Sequence, residues 1–262
     1  MNKKKLNFLT NDCQVGMYYS AIKNLKNGYV VYSDIVESET WNSFTGFKSR
    51  TAEDFEKTFG KAKDFFCKIN RTPVFTLNAS TKISKKVKMH IEKNYSAFSH
   101  EAILLTKKFV LKKDLSSDYS FRRIDNKTER TLFVNTFKTS KSQSLPGDTY
   151  DPLPQYFFDA LDNSFNNKTS WDFIHYVSLY KGKPVGMISA CVKGKYCGLY
   201  GGGTFVKHRG KGVFTNLLNY IYLDLKKQGV KYFFGKTEKD SKNEKLYNSI
   251  GWKTKAYEIY YK

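Results

Sequence analysis

The sequence predicts a mixed α/β (α+β) protein, with a mostly antiparallel central sheet flanked by helices and laid out twice along the chain. Three observations carry this. Across residues 119–262, strand-like runs alternate with helical periods, and three of the runs are parted only by short turns marked by Gly182 and Gly194. Between the third run and the next helical period stands a glycine-rich basic turn, Arg209-Gly210-Lys211-Gly212. The first half of the chain repeats part of this layout at about half the chain length.

In the first half, Thr51 is placed to cap a helix, with Asp54 three residues on and Phe55, Phe59, Phe65 and Phe66 as apolar anchors. Pro73–Leu77 reads as a strand, Ser84–Lys93 as a helix and Phe98–Thr106 as a strand. The order Val74–Leu77, helix, Asn94–Phe98 parallels Tyr232–Phe234, helix, Ile250–Trp252. Lys107–Asp118 is polar and rich in Lys and Ser, the composition of a linker. The expected division is therefore 1–115 and 116–262.

In the second half, Tyr119–Ile124 reads as a strand and Asn126–Phe137 as a helix carrying Leu132, Phe133 and Phe137. Thr139–Pro152 collects Ser142, Ser144, Pro146, Gly147, Asp148 and Pro152 and reads as a loop. Leu153–Phe165 reads as a helix, and Phe173–Tyr180, Val185–Val192 and Tyr196–Val206 as strands. After Gly212, the residues Phe214, Leu217, Leu218, Ile221 and Leu225 recur at helical spacing until Gly229. Val230–Gly235 is a strand, Ser241–Ser249 a helix and Thr254–Tyr261 the last strand.

Composition bounds the rest. Hydrophobic residues make up 40% and aromatics 16% of 262 residues, enough for one large or two modest domains with an aromatic core. The basic start Met1–Lys5 is followed by polar residues and not by an apolar run, and no stretch has the length of a membrane span. Cys13, Cys67, Cys191 and Cys197 form no CxxC pair. Free thiols in a cytoplasmic protein are the expectation. For Cys191 and Cys197, small core residues stand beside a covalent acyl relay or a metal site, and no metal is expected. The net charge of +21 is spread along the chain. It reads either as a field for polyanions, RNA included, or as a compositional bias of the source genome.

The basic turn carries the chemistry. Glycine lets a backbone approach an anion closely, and the first N–H groups of a helix are unpaired and face phosphate oxygens. A strand, then Arg209-Gly210-Lys211-Gly212-Val213-Phe214, then a helix, is a cradle for a pyrophosphate.

This stretch resembles the acyl-CoA-binding motif of the GCN5-related N-acetyltransferases (GNAT), Arg/Gln-x-x-Gly-x-Gly/Ala. Arg209 and Gly212 match it, while Phe214 stands where the family has a small residue. A second stretch, Asp240 to Trp252, is similar to the family's Asn-x-x-x-x-x-Leu-Tyr-x-x-x-Gly-Phe segment, with Leu246, Tyr247, Gly251 and Trp252 in place. Asp240 takes the Asn position and Asn243 lies one turn before Tyr247, so either is a candidate to bond pantetheine.

The resemblance spans about residues 119–262. It implies an acetyltransferase-like second domain beside a degenerate first domain lacking the motif. It further implies acetyl-CoA as donor cosubstrate, held by Thr204, Phe205, Val206, Arg209, Gly210, Lys211, Gly212, Val213 and Phe214. The strand Gly201–Phe205 would pair with the pantetheine amide, an N–H near Gly203 or Thr204 would meet the oxyanion, and Tyr247 would protonate the departing thiolate. The attacking amine needs a base. His175, Glu238 and Asp172 are the nominees, each with a structural or surface reading beside it. Asp148 and Asp151 are loop acids suited to an amine cation or to solvent. Tyr150, Tyr156 and Phe157 are pocket walls or core.

The expected activity is acetyl transfer to a primary amine of a small or amino-acid-like acceptor. Two other readings stay open: an aminoacyl-tRNA-dependent or RNA-directed transferase, and a non-catalytic regulator binding CoA or nucleic acid.

Overall fold

A computed structural model describes residues 1–17, 20–110, 114–124, 127–143, 153–165 and 169–262. The sequence readings of Ser144, Pro146, Gly147, Asp148, Tyr150, Asp151 and Pro152 fall outside the described residues. The chain forms two compact units. Unit 1 comprises Met1–Leu104, Lys236–Lys245 and Thr254–Lys262, and unit 2 comprises Leu105–Gly235 and Leu246–Lys253. The two C-terminal stretches in unit 1 lie on the far side of the expected 115/116 division.

In unit 1 the elements are α1 (Lys3–Met17), β1 (Ser20–Leu25), β2 (Gly28–Ser33), β3 (Ser43–Thr45), β4 (Lys48–Ser49), α2 (Ala52–Lys68), β5 (Phe75–Leu77), β6 (Lys82–Ile83), α3 (Lys85–Asn94) and β7 (Ala97–Thr106). The chain's last strand, β13 (Lys253–Tyr261), joins them, and the strands run in the order β1-β2-β3-β5-β13-β7. β4 and β6 form a separate short parallel pair. Thr51 caps α2, its side chain accepting from the Asp54 N–H at 3.1 Å, and Ser84 caps α3 in the same way through Val87. The apolar face of α2 buries Phe55, Phe59, Ala62 and Phe66 against Phe44, Phe47 and Phe75, with ring centroids 4.8 Å apart for Phe59 and Phe75. Each phenyl removed from water contributes about 2–3 kcal/mol.

The sequence reading missed α1, and the reason is physical. Leu6, Leu9 and Cys13 are buried on one face, but so are the polar Asn7, Thr10 and Asn11, which break the apolar period. Glu258 anchors the Asn7 side chain, whose Nδ2 donates to Glu258 Oε1 at 2.8 Å. Glu258 lies within a buried ionic cluster. Lys236 Nζ sits 2.5 Å from Glu258 and 3.3 Å from Glu101, and Tyr260 OH donates to both carboxylates at 3.1 and 3.0 Å. Burial opposes the charge on Lys236, but the two carboxylates outweigh it and hold its pKa above the ordinary lysine value.

Unit 2 holds β8 (Tyr119–Ile124), α4 (Lys127–Ser142), α5 (Gln155–Ser164), β9 (Asp172–Tyr180), β10 (Lys183–Lys193), β11 (Tyr196–Thr204), α6 (Val213–Lys227) and most of β12 (Tyr232–Glu238), in strand order β12-β11-β10-β9-β8. α7 (Lys242–Ser249) begins in unit 1 and ends in unit 2. β8 to β11 are antiparallel neighbours, while β11 and β12 are parallel and joined through α6. Unit 1 contains the same device: β3 and β5 are parallel and joined through α2. α4 runs through the expected loop start at Thr139. No Gly or Pro stops it there, and the hydroxyls of Ser140 and Ser142 bond back to the carbonyls of Phe137 and Thr139. The expected linker is pinned at its start: Phe109 is buried, and the Val110 N–H donates to Ile250 O at 3.1 Å.

Candidate active site

The site begins with a strand that carries few side chains. Where β10 pairs with β11, Met187 faces Gly203 and Ser189 faces Tyr200, so three steps of β11 span two of β10. β11 therefore holds one extra residue, a bulge, and Gly201 within it has φ +64°, the left-handed conformation such bulges give to glycine. On its other side β11 pairs with β12 only over Tyr196–Gly198. Beyond that point β11 leaves the ladder.

Both faces of the glycine run are closely covered. A Cβ on Gly202 would lie 2.7 Å from the Phe214 ring, and one on Gly203 would lie 2.5 Å from Ser140 Oγ. Successive strand residues face opposite ways, so α6 packs through Phe214 on one face and α4 through Ser140 on the other. This accounts for Phe214 at a position where a small residue was expected: the space is made by glycine on the strand instead.

Past Thr204, the Phe205 N–H donates to Val185 O at 2.8 Å and a 3-10 turn spans Val206–His208. Arg209 ties the turn down. Its Nε donates to Thr204 O at 3.0 Å and its Nη2 to Gln143 O at 2.9 Å, while Gln143 Oε1 accepts from the Val206 N–H at 3.1 Å. Arg209 is thus chiefly a strut, and the Phe205 and Val206 N–H groups are used within the chain. Gly210 (φ +72°) and Gly212 (φ +88°) turn the backbone into α6, with Lys211 exposed between them. Gly212 is the N-cap of α6 and supplies no side-chain oxygen to the first N–H groups. Its carbonyl accepts from Asn216 N–H, Asn216 Nδ2 and Thr215 Oγ1. Thr51 and Ser84 close the mouths of α2 and α3, whereas α6 opens on a bare glycine.

Tyr247, on α7, reaches the same place. Its ring stands edge-on to Phe214 at 6.1 Å and to Trp252 at 5.0 Å. Val213 is buried beneath the turn. Beside the turn, the Tyr119 hydroxyl and His208 Nδ1 are 2.8 Å apart, and partial burial with Lys211 and Lys207 lowers the His208 pKa.

The other nominees lie elsewhere. Burial, with Arg130 adding to it, pushes the His175 pKa down to about 3. Its Nδ1 is 2.8 Å from Ser189 Oγ, and its ring is 4.5 Å from Phe133 and 4.1 Å from Phe165. A neutral imidazole with so little proton affinity belongs to the core, which corrects its nomination as base. Asp172 and Glu238 are exposed at strand ends. Glu238, Asp240 and Asn243 belong to unit 1. Asp240 is exposed with φ +60°, and its N–H donates to Glu244 Oε2 at 2.6 Å. Phe157 is core and Tyr156 packs on it at 5.0 Å.

Sequence reasoning missed Ser140, Lys141 and Gln143, because the end of α4 read as a loop. Lys141 Nζ donates to Gly202 O at 2.9 Å, and burial, reinforced by Arg209, lowers its pKa to about 8. Among the described residues, no group of three or more His, Cys, Asp or Glu is placed to hold a metal ion, and no helix is long and apolar enough to cross a membrane. None of the four cysteines forms a disulfide, and Cys191 and Cys197 are buried in unit 2.

No family model and no curated protein matches the sequence. Solved structures do match the fold. A GCN5-related N-acetyltransferase from Kribbella flavida superposes with a TM-score of 0.68 at 13% identity, covering 97% of this chain and 93% of that one. A functionally unknown conserved protein from Staphylococcus epidermidis ATCC 12228 gives 0.67 at 10% identity, covering 93% and 94%. A tandem GNAT protein from the clavulanic acid biosynthesis pathway gives 0.59 at 11%, covering 95% and 86%. Together with the bulged β11, the glycine turn and the parallel β11–α6–β12 unit, these likenesses show that the chain has the fold of the GCN5-related N-acetyltransferases.

Proposed function

We propose that the protein is a cytoplasmic N-acyltransferase that takes an acetyl group from acetyl-CoA and passes it by direct attack to a primary amine of a small or amino-acid-like acceptor. The observation that carries this reading is the mouth of α6. Gly212 leaves the first N–H groups without a side-chain cap, shortly after a strand whose Gly201–Gly203 run carries no side chains of its own. The residues fit a pyrophosphate: two left-handed glycines where a Cβ would be strained, and Lys211 beside them.

When bound, acetyl-CoA supplies an activated acyl group as a thioester. The chain's own residues do the rest. Gly210–Val213 hold the anion by main-chain N–H groups, with Arg209 keeping the turn in shape. The Gly203 and Thr204 segment offers backbone to the acyl arm. Tyr247, packed against Phe214, donates its phenolic proton to the departing sulfur.

Thermal unfolding with and without acetyl-CoA tests the donor assignment. The expected result is a rise in Tm that Gly212→Asp removes. Absence of any rise at millimolar acetyl-CoA defeats the assignment. A thiol-release assay across amines tests turnover. The charge of +21 supports the RNA-directed reading, which tRNA binding that persists at physiological salt would promote over a small acceptor.

A further inference from the structure

Lys141 is unlike an ordinary helix-end lysine. Such a residue normally extends its ammonium into water. Here the stem passes the Phe137 ring, with Nζ 5.8 Å from its centroid, and the amine ends on Gly202 O, in the bulged segment of β11. The preceding residue, Ser140, packs on Gly203. The end of α4 is therefore seated on the glycine run, and it brings one amine to the backbone along which the donor is proposed to lie.

We propose that Lys141 is an acyl acceptor, and that the protein transfers the acyl group of a bound acyl-CoA thioester onto its own Lys141 Nζ. This rests on the donor site proposed above. The neutral Nζ attacks the thioester carbonyl carbon. The N–C bond forms, the C–S bond breaks, the sulfur leaves with the electron pair, and a proton from Nζ ends on it. The products are an amide and a free thiol, with no oxidant or reductant needed.

The surroundings keep the amine reactive. Burial comes first, then the Arg209 guanidinium, and together they bring the pKa to about 8. About one amine in ten is then neutral at pH 7, against roughly one in a few thousand for a solvated lysine. Among the described residues, the Arg209 guanidinium faces it from the turn after β11. On its own helix, Lys138 turns instead over the Phe158 ring, and the strand residues beneath, Met187, Gly202 and Gly203, carry no charge.

The test is to incubate the whole protein with acetyl-CoA and follow it by intact mass and peptide mapping, beside thermal unfolding of the same sample. The expected result is one acetyl group at Lys141, formed at least about tenfold faster than at exposed lysines such as Lys48 and Lys82. Excess CoA slows it, and Lys141→Arg removes it. Diffuse chemical acetylation is told apart because neither excess CoA nor Gly212→Asp, which disables the donor site and leaves Lys141 in place, slows it. A protein that acetyl-CoA stabilises but that gains no acetyl group at Lys141, or gains it there only after the exposed lysines, overturns this inference and leaves the donor site standing. No stabilisation at all overturns both.

Discussion

Gly202→Ala is the sharpest perturbation of the site. The new Cβ would lie 2.7 Å from Phe214 Cε2, 3.0 Å from Cζ and 3.1 Å from Ile188 Cδ1. Ordinary carbon contacts need about 3.5–4.0 Å, so the ring must retreat by most of an ångström. Its path is lined by Tyr247, itself packed on Trp252. Gly202 is not among the glycines with positive φ, so the cost is overpacking alone, about 1–3 kcal/mol. That corresponds to a fall in Tm of about 2–4 °C per kcal/mol. The decisive assay is a cycle of Gly202→Ala, Phe214→Ala and the double variant by urea unfolding. Because Phe214→Ala removes the obstructing ring, the alanine at 202 should cost at least about 1 kcal/mol less in its presence. If the two costs simply add, close approach of Phe214 is not what demands glycine on β11.

Stability should fall with acid through His175. Its folded pKa of about 3 lies below the usual 6.5, so the unfolded chain binds the proton first and stability declines as pH drops from 6.5 toward 3. Between pH 6.5 and 4 the loss is about 3 kcal/mol. Urea unfolding against pH should show that slope in the native protein and lose it in His175→Phe; an unchanged slope in the variant assigns the acid sensitivity elsewhere. Lys236→Met strands Glu258 and Glu101 without their cation and should cost about 3–5 kcal/mol, a reasoning that a near-neutral variant by chemical denaturation would refute. Tyr247→Phe should slow acyl transfer with little change in the Tm rise given by acetyl-CoA; an equal rate would remove Tyr247 as proton donor.

The second half was legible because its signals are local. Gly182, Gly194 and Gly229 punctuate it, and the turn Arg209–Gly212 announces the mouth of α6 by backbone requirement alone. The N-terminal cap at Thr51 was equally plain. α1 was hidden because Asn7 and Asn11 are buried by partners more distant in sequence, Glu258 for the former and Tyr29 for the latter. His175 looked like a base because a strand position says nothing of depth; the phenyl rings of Phe133 and Phe165 come from α4 and from just past the end of α5. Lys141 was passed over for the opposite reason. Lysines are plentiful in this chain, and its distinction is that its amine turns inward to a carbonyl more than sixty residues away in sequence, Gly202 O.

The place of β13 between β5 and β7 has a bearing on how the protein is made. During synthesis, the edges that flank this slot emerge by residue 106, but the strand that fills it starts at Lys253. At about 5–20 residues per second, the nascent N-terminal segment waits on the order of ten to thirty seconds with unsatisfied strand borders. A fragment ending at the apparent linker would carry that gap permanently, so soluble expression of the first 115 residues alone is expected to fail where the uncut polypeptide succeeds.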